Sequence, residues 1–501
     1  MERSCGILLP VSALPGPFGI GTLGREAREF PEFLASAGQR WWQMLPVGPT
    51  GYGDSPYQSF SVFAGNPYFV DPLLLAEDGL LTEEEIRGDW GDDPARVDYG
   101  ALYAGRFELL AMAAERGWER DRAQVAEFEA LHSAWLPDYA LFMALKRRFG
   151  MKPWYQWEDE GARLHRPEAL ERWRRELAAD VRMFTYAQYQ FFRQWAALRA
   201  CAAERGIGLI GDLPIYAALD SADVWASPEL FQLDMNNVPT AVAGVPPDYF
   251  SADGQLWGNP LYDWEAMARD GYAWWIRRVG CAAKLFDALR LDHFRGFESY
   301  WAVPYGETTA KNGRWVKGPG MDLIGRLQGW FPGLQFIAED LGILTPEVHD
   351  LLEASGLPGM QVLEFAFDPD EPSAYLPHAH SVNSVCYTGT HDNAPLSAWC
   401  RTAPAAERDF AMRYLGVERP ETLADGILRG GMSSAAALFL AQMQDYLGLG
   451  EEARMNTPGK AEGNWCWRMT AQALTPELAE RIAQQARMYG RTPEKSIAAA
   501  E

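Results

Sequence analysis

Arg290-Leu291-Asp292-His293-Phe294-Arg295-Gly296 sets an aspartate directly after an apolar run, Lys284 to Leu291, and two further stretches repeat the arrangement. They are Ala338-Glu339-Asp340-Leu341-Gly342, after Leu334 to Ala338, and Gly389-Thr390-His391-Asp392-Asn393, after Val382 to Thr388. An acid just past such a run sits where a strand stops and a loop begins. In a barrel of parallel strands the C-terminal strand ends converge on one face, and that face holds the active site. Acids far apart in sequence can therefore meet in one pocket. Glycosidic-bond chemistry needs such a meeting: one carboxylate attacks or stabilises the anomeric carbon while a protonated one supports the leaving oxygen. Each acid taken alone also reads as a helix cap or a surface charge, as most of the 68 Asp and Glu must be.

Outward from these segments the chain alternates. Gly6 to Leu9 and Trp41 to Leu45 read as buried strands closed by Pro and turn residues, with helical spacing in Arg25 to Ala37 between them. Strand, helix, strand is the start of a parallel alternating fold. From about Leu74 to Asp180 the alternation stops, and a mainly helical insertion is expected. Thr82 and Glu85 form a capping box that should open a helix there, and Tyr103 to Arg116 and Gln124 to Leu136 continue helically. An aromatic-rich helix follows, Phe184 to Ala203. Strands resume at Ile207 to Ile210, which ends in Gly211-Asp212-Leu213-Pro214. The others are Ala288 to Leu291, Gln335 to Ala338, Met360 to Phe365, Ser384 to Thr388 and Leu438 to Met443. Thr345-Pro346-Glu347 opens a helix that Gly356 closes, the usual Pro-first, Gly-last asymmetry. Eight such units fit an α/β fold, a (β/α)8 barrel. Residues 1–73 would start it, 74–180 would be the insertion, and 181–501 would complete it with C-terminal helices and a loop insertion near 230–260. The stretch after Met443, where Thr475-Pro476-Glu477 starts a helix, is too short for a C-terminal β-sandwich.

Composition sets bounds. With 48 % hydrophobic and 23 % charged residues the chain matches an ordinary globular protein with a large core. A net charge of −23 argues against a nucleic-acid partner, which needs clustered Lys and Arg. A neutral substrate would be indifferent to that charge. The six cysteines are scattered without a Cys-x-x-Cys pair, which suits free thiols in a reducing compartment. The start of the chain is not a signal peptide, since Glu2 and Arg3 come first and Pro10 and Pro15 break the apolar run. No apolar stretch is long enough to span a bilayer. A cytoplasmic location is expected, without membrane association; the oligomeric state stays open, with a monomer as the expectation.

Other signals mislead. Gly19-Ile20-Gly21-Thr22-Leu23-Gly24 matches G-x-G-x-x-G, but Pro15 and Pro17 separate it from the preceding strand, so a tight loop at the barrel mouth is expected rather than a dinucleotide site. His378 and His380 lack a third metal ligand at sensible spacing. Most aromatic residues must be core. Tyr52, Tyr57, Tyr249 and Trp257 stand out because they sit among Gly and Pro, in segments read as loops. There a ring could lie on the apolar face of a sugar.

The three acidic segments, in this order and with Arg290 two residues before Asp292, resemble the catalytic regions of the alpha-amylase clan, and specifically the amylomaltase (4-alpha-glucanotransferase) family. Gly48-Pro49-Thr50-Gly51-Tyr52-Gly53-Asp54-Ser55-Pro56-Tyr57-Gln58, Gly244-Val245-Pro246-Pro247-Asp248-Tyr249-Phe250 and Trp257-Gly258-Asn259-Pro260 are similar to signatures of that family. The resemblance runs from about Cys5 to Trp467. It implies a retaining double displacement that moves 1,4-alpha-glucan segments between maltooligosaccharides or longer glucans, with no cofactor; it does not imply a metal, and a Ca2+ site built from loop carboxylates and carbonyls, which needs no motif, stays open. It also implies Asp292 as nucleophile, Glu339 as acid/base and Asp392, beside His391, as the group that holds the distorted donor ring. Arg290, on the same side of its strand as Asp292 by the period of two, would keep that acid ionised. By the same matching Tyr57 stacks on the reacting glucose and Trp257 lines the acceptor side, in a loop that also carries Asp248 and Tyr249. Tyr52 and Tyr103 match a remote groove for long glucans, and Asp212, at a strand end, joins the expected substrate-binding set. A hydrolase using the same acids with water as acceptor, or a non-catalytic glucan-binding protein, is the alternative.

Overall fold

A computed structural model describes residues 2–247, 251–342, 344–371, 373–460 and 462–492, with Tyr52 by its backbone alone. In chain order its strands are β1 (Ser4–Leu8), β2 (Trp41–Gln43), β3 (Gly208–Leu213), β4 (Ala241–Val245), β5 (Gln255–Pro260) and β6 (Ala288–Leu291). Then come β7 (Ser299–Pro304), β8 (Arg314–Lys317), β9 (Gln335–Ala338), β10 (Gly359–Val362), β11 (Ser384–Tyr387) and β12 (Leu438–Gln442). Eight of these close a parallel barrel in the order β1-β12-β11-β10-β9-β6-β3-β2. They are the eight strands expected from the sequence. They differ most in extent at β3, which runs on past the expected end at Ile210 to Leu213, and at β10, where Leu363–Phe365 turns into a 3-10 helix instead of prolonging the strand.

The inner face of the barrel explains where charge appears. Ile210 pairs with Ala288, Asp212 with Arg290, and Arg290 with Ile337. Ile210, Ala288 and Ile337 pack inside the barrel with Trp41, Val362 and Leu440. By the two-residue alternation of a strand, the next inward residues toward the C-terminal end are Asp212, Arg290 and Glu339, and after them Asp292. The barrel is thus apolar below and charged at its mouth. Asp340, the neighbour of Glu339, points the other way and accepts a hydrogen bond from Met360 N at 2.6 Å. Gly359 allows this approach, since a Cβ there would stand 2.5 Å from Asp340 Oδ2.

The connections hold two surprises. β4 and β5, which fall in the loop insertion expected near 230–260, pair with each other, and with β7 and β8 they make a four-stranded antiparallel sheet in the order β5-β4-β7-β8. Trp257 therefore lies on a strand, not in a loop. The Thr82–Glu85 capping box forms, with Glu85 N donating to Thr82 Oγ1 at 3.2 Å and Thr82 N to Glu85 Oε2 at 2.8 Å, but only turns follow. Arg116 takes both Glu85 oxygens at 2.7 Å, and Gly88 ends the turn before a helix can build.

Helices Tyr99–Gly117, Arg122–Leu131 and Leu136–Arg148 pack on the long helix Ala178–Glu204. Two buried glutamines of that helix serve the backbone after β2. Gln188 accepts from Gly65 N at 2.8 Å and donates to Gly65 O at 2.7 Å, and Gln194 accepts from Asp71 N at 2.8 Å. Buried backbone groups need such partners. The helix Pro346–Ser355 ends on Gly356 at φ 64°, as its sequence demands. No helix of the described residues is long and apolar enough to cross a membrane.

Candidate active site

Arg290 sits under the centre of the site. Its Nη1 donates to Asp212 Oδ1 and Oδ2, both at 2.7 Å, and to Asp292 Oδ1 at 3.1 Å, while Nη2 lies 3.7 Å from Glu339 Oε2. Burial alone would lower the basicity of this guanidinium, but Asp212, Asp292 and Glu339 together push it well above its ordinary value. It stays charged. Glu339 is driven the other way. Burial raises its pKa to about 8, Arg290 opposes the rise and Asp292 adds to it. Burial also raises Asp212, against the pull of Arg290.

The backbone after β6 fixes these acids. Asp292 N donates to Leu213 O, and Glu339 N to Leu291 O, each at 3.1 Å, so both ladders continue one residue past the strands. His293 then takes a positive φ of 48°, and its N–H donates to Glu339 Oε2. A non-glycine residue held in that region is characteristic of a constrained functional turn. The His293 ring is half-buried, and the loss of water around it lowers its pKa to about 4 and keeps it neutral beside Asp292. It meets Trp257 edge to face, with centroids 4.8 Å apart.

On the opposite wall Tyr57 donates to Asp212 Oδ2 at 2.8 Å and stacks on His391, with centroids 5.0 Å apart and 19° between planes. With its hydrogen committed to Asp212, the Tyr57 hydroxyl can only accept from His391 Nδ1, 3.4 Å away. His391 Nε2 lies 3.3 Å from Asp392 Oδ1. Asp292, Asp392, His391, Tyr57 and Trp257 line one open cleft of about 370 Å³, and Glu339, Arg290 and Asp212 form its charged floor beneath them. Sequence reading thus names eight residues that the fold brings to this place.

Four others fare differently. Tyr103 does not line the cleft; its hydroxyl donates to Asp54, and its half-exposed ring packs beside Tyr68 and Tyr99. Asp248 and Tyr249 lie outside the described residues, and of Tyr52 only the backbone, in the turn Tyr52–Asp54, is described. Sequence reading also missed part of the wall: Tyr216, Asn456, Lys460 and Trp465 line the same cleft. The last three belong to a Pro-Gly loop beyond the last barrel strand. The turn residues Pro458-Gly459 were the available signal, because loops at that end of a barrel face its site.

Known proteins resemble this chain along almost its whole length. The sequence profile described as 4-alpha-glucanotransferase matches residues 9–475. The chain belongs to the 4-alpha-glucanotransferase family. It is 48 % identical to the 4-alpha-glucanotransferase of Thermus thermophilus over 497 residues, covering 97 % of this chain and 98 % of that one. It is 46 % identical to the Streptococcus pneumoniae enzyme of the same name over 499 residues, 99 % of each chain. Among solved structures, the amylomaltase from Streptococcus agalactiae in complex with acarbose superposes with a TM-score of 0.95 at 37 % identity, covering 98 % of this chain and 100 % of that one. Nearly the whole length of this 4-alpha-glucanotransferase family member is therefore matched.

Proposed function

We propose that this family member moves 1,4-alpha-glucan segments to the 4-hydroxyl of a glucose or glucan acceptor by a retaining double displacement. The observation that carries the reading is the single guanidinium of Arg290 shared by Asp212, Asp292 and Glu339 at the floor of an open cleft. Asp292, oriented by its contact with Arg290, attacks the anomeric carbon and forms a glycosyl-enzyme. Glu339, kept protonated by burial, gives its proton to the departing glucan oxygen, then as a carboxylate takes the proton of the incoming 4-hydroxyl. Asp392 holds hydroxyls of the distorted donor ring and offsets the positive charge that develops on it. Tyr57 offers its ring to the donor sugar, and Trp257 lines the acceptor side. That the Streptococcus agalactiae amylomaltase was solved in complex with acarbose supports a ligand of that kind for this chain. The six free cysteines support a reducing, cytoplasmic setting.

Two experiments test this. Maltotriose alone should yield glucose plus a ladder of longer oligosaccharides; new reducing ends without a ladder would indicate hydrolysis. Asp292→Asn should nearly abolish turnover. Glu339→Gln should still glycosylate slowly from a donor with a good leaving group, with mass spectrometry finding the adduct on Asp292. An adduct on Asp392 would reverse the two aspartates.

A further inference from the structure

The segment from Arg454 to Trp465 is not needed to close the barrel, yet it reaches back over the mouth. It is braced internally: Thr457 N donates to Asn464 Oδ1 at 2.9 Å, and Asn464 Nδ2 to Lys460 O at 2.9 Å. Its first residues grip the loop that bears Asp392. Asn456 Nδ2 donates to Asp392 Oδ1 at 2.6 Å, and Asn456 N to His391 O at 3.1 Å. Arg454 Nη2 donates to Asp392 O at 2.6 Å, and its Nε to Asn456 O at 2.8 Å. The carboxylate, its own carbonyl and the preceding carbonyl are therefore all held from one segment.

The contacts on the carboxylate, from Asn456 and from His391 Nε2 at 3.3 Å, both fall on Oδ1. The side chain remains 45 % exposed, so Oδ2 is the oxygen offered to the cleft. An amide donor suits this task. It fixes the carboxylate without neutralising it, as a lysine in its place would do, and the charge is what an oxocarbenium-like centre needs.

We infer that Asn456 and Arg454 are positioning residues for Asp392, fixing Oδ1 so that Oδ2 meets the donor ring. The inference rests on the reading of Asp392 as the group that holds that ring. A carboxylate misplaced by about 1 Å costs roughly a hundredfold in rate.

The test measures kcat and KM on maltotriose for Asn456→Asp, Asn456→Ala and Arg454→Lys, each alone and combined with Asp392→Asn, with thermal melts to establish folding. Asn456→Asp is isosteric and turns a donor into a like charge. It should lower kcat about 10- to 100-fold while changing KM by less than about twofold. In the Asp392→Asn background the same changes should cost less than about twofold, because the residue they position is already lost. Arg454 does not line the cleft, so Arg454→Lys keeps the test alive if the Asn456 variants do not fold. Unchanged kcat, a raised KM with intact kcat, or losses that multiply in the Asp392→Asn background would each overturn the inference. Wild-type turnover in Asp392→Asn alone would remove the role of Asp392 itself. A large loss there with indifference to Asn456 and Arg454 would overturn only the positioning role.

Discussion

Arg290 and Asp212 pair through one nitrogen: Nη1 bridges both carboxylate oxygens at 2.7 Å, side by side on β6 and β3. Neither side chain is exposed by more than 5 %. A buried ion pair of this kind is weak evidence for stability, because desolvating both charges offsets their attraction. Its value is geometric. Asp212 anchors Nη1, which also donates to Asp292, and accepts from Tyr57, while Nη2 is left facing Glu339.

Replacing Arg290 by lysine keeps the charge and removes the fork. One ammonium cannot serve Asp212, Asp292 and Glu339 at once, so the substitution is not conservative. Arg290→Lys should fold and lose about a hundredfold or more in kcat, with little change in KM. Steady-state kinetics on maltotriose check this; near-normal kcat would show that a point charge suffices.

Glu339 links pH to both activity and stability. Burial first, and Asp292 second, raise its pKa from the ordinary 4.5 to about 8, against Arg290. A carboxyl raised in the folded state contributes stability fully present below its unfolded value and lost as pH rises through the folded one. The wild-type protein should therefore lose melting temperature relative to Glu339→Gln as pH climbs from about 5 to about 9. Over the same alkaline range wild-type transfer from natural glucans should fade, while a donor with a good leaving group should lose less in the glycosylation step. Parallel melting curves at all pH values would mean that Glu339 titrates as an ordinary acid.

The barrel was legible because its signals are local and periodic: short apolar runs closed by turn residues, and acids just past their ends. Asp292, Glu339 and Asp392 could be picked out on that basis, and Arg290 by its two-residue offset. The antiparallel sheet was hidden. Runs such as Ala241–Val245 are short, and Gly258 and Pro260 in its partner β5 suggest a loop until pairing across β4 and β7 is known. The contribution of Asn456 was hidden for another reason. A hydrogen bond spanning 64 residues leaves no trace in spacing or composition. The Thr82–Glu85 box shows the converse, a correct local signal overruled when Arg116 and Gly88 take the segment elsewhere.

Trp257 tests how the acceptor side is shaped. Its strand placement makes it a fixed surface, braced by Gln255 Oε1 at 3.1 Å and by the His293 ring. Losing an aromatic contact worth about 1 kcal/mol would weaken a sugar acceptor roughly fivefold against water. Trp257→Ala should raise the hydrolysis-to-transfer ratio by about that factor while preserving some total cleavage. Product analysis on maltotriose gives the ratio directly, and an unchanged value would make Trp257 a packing residue only.

Tyr103 is the residue on which a remote glucan contact can be tested. It stands off the cleft, half exposed, with its hydroxyl on Asp54 and its ring beside Tyr68 and Tyr99. Asp54 in turn belongs to the turn that carries Tyr52 and precedes Ser55, a cleft residue. Two roles fit this placement, and two substitutions separate them. If the ring receives a long glucan, Tyr103→Phe should behave as wild type, because the apolar face survives, whereas Tyr103→Ala should change the size or yield of cyclic products from amylose. Maltotriose disproportionation should then be intact in both, because a remote contact is one that only a chain longer than the cleft meets. If instead the hydroxyl only steadies the Asp54 turn, Tyr103→Phe should be the damaging change, and it should slow maltotriose as much as amylose because the cleft rim itself has moved. Equal losses on both substrates would thus end the remote-contact reading and place Tyr103 among the supports of the active site.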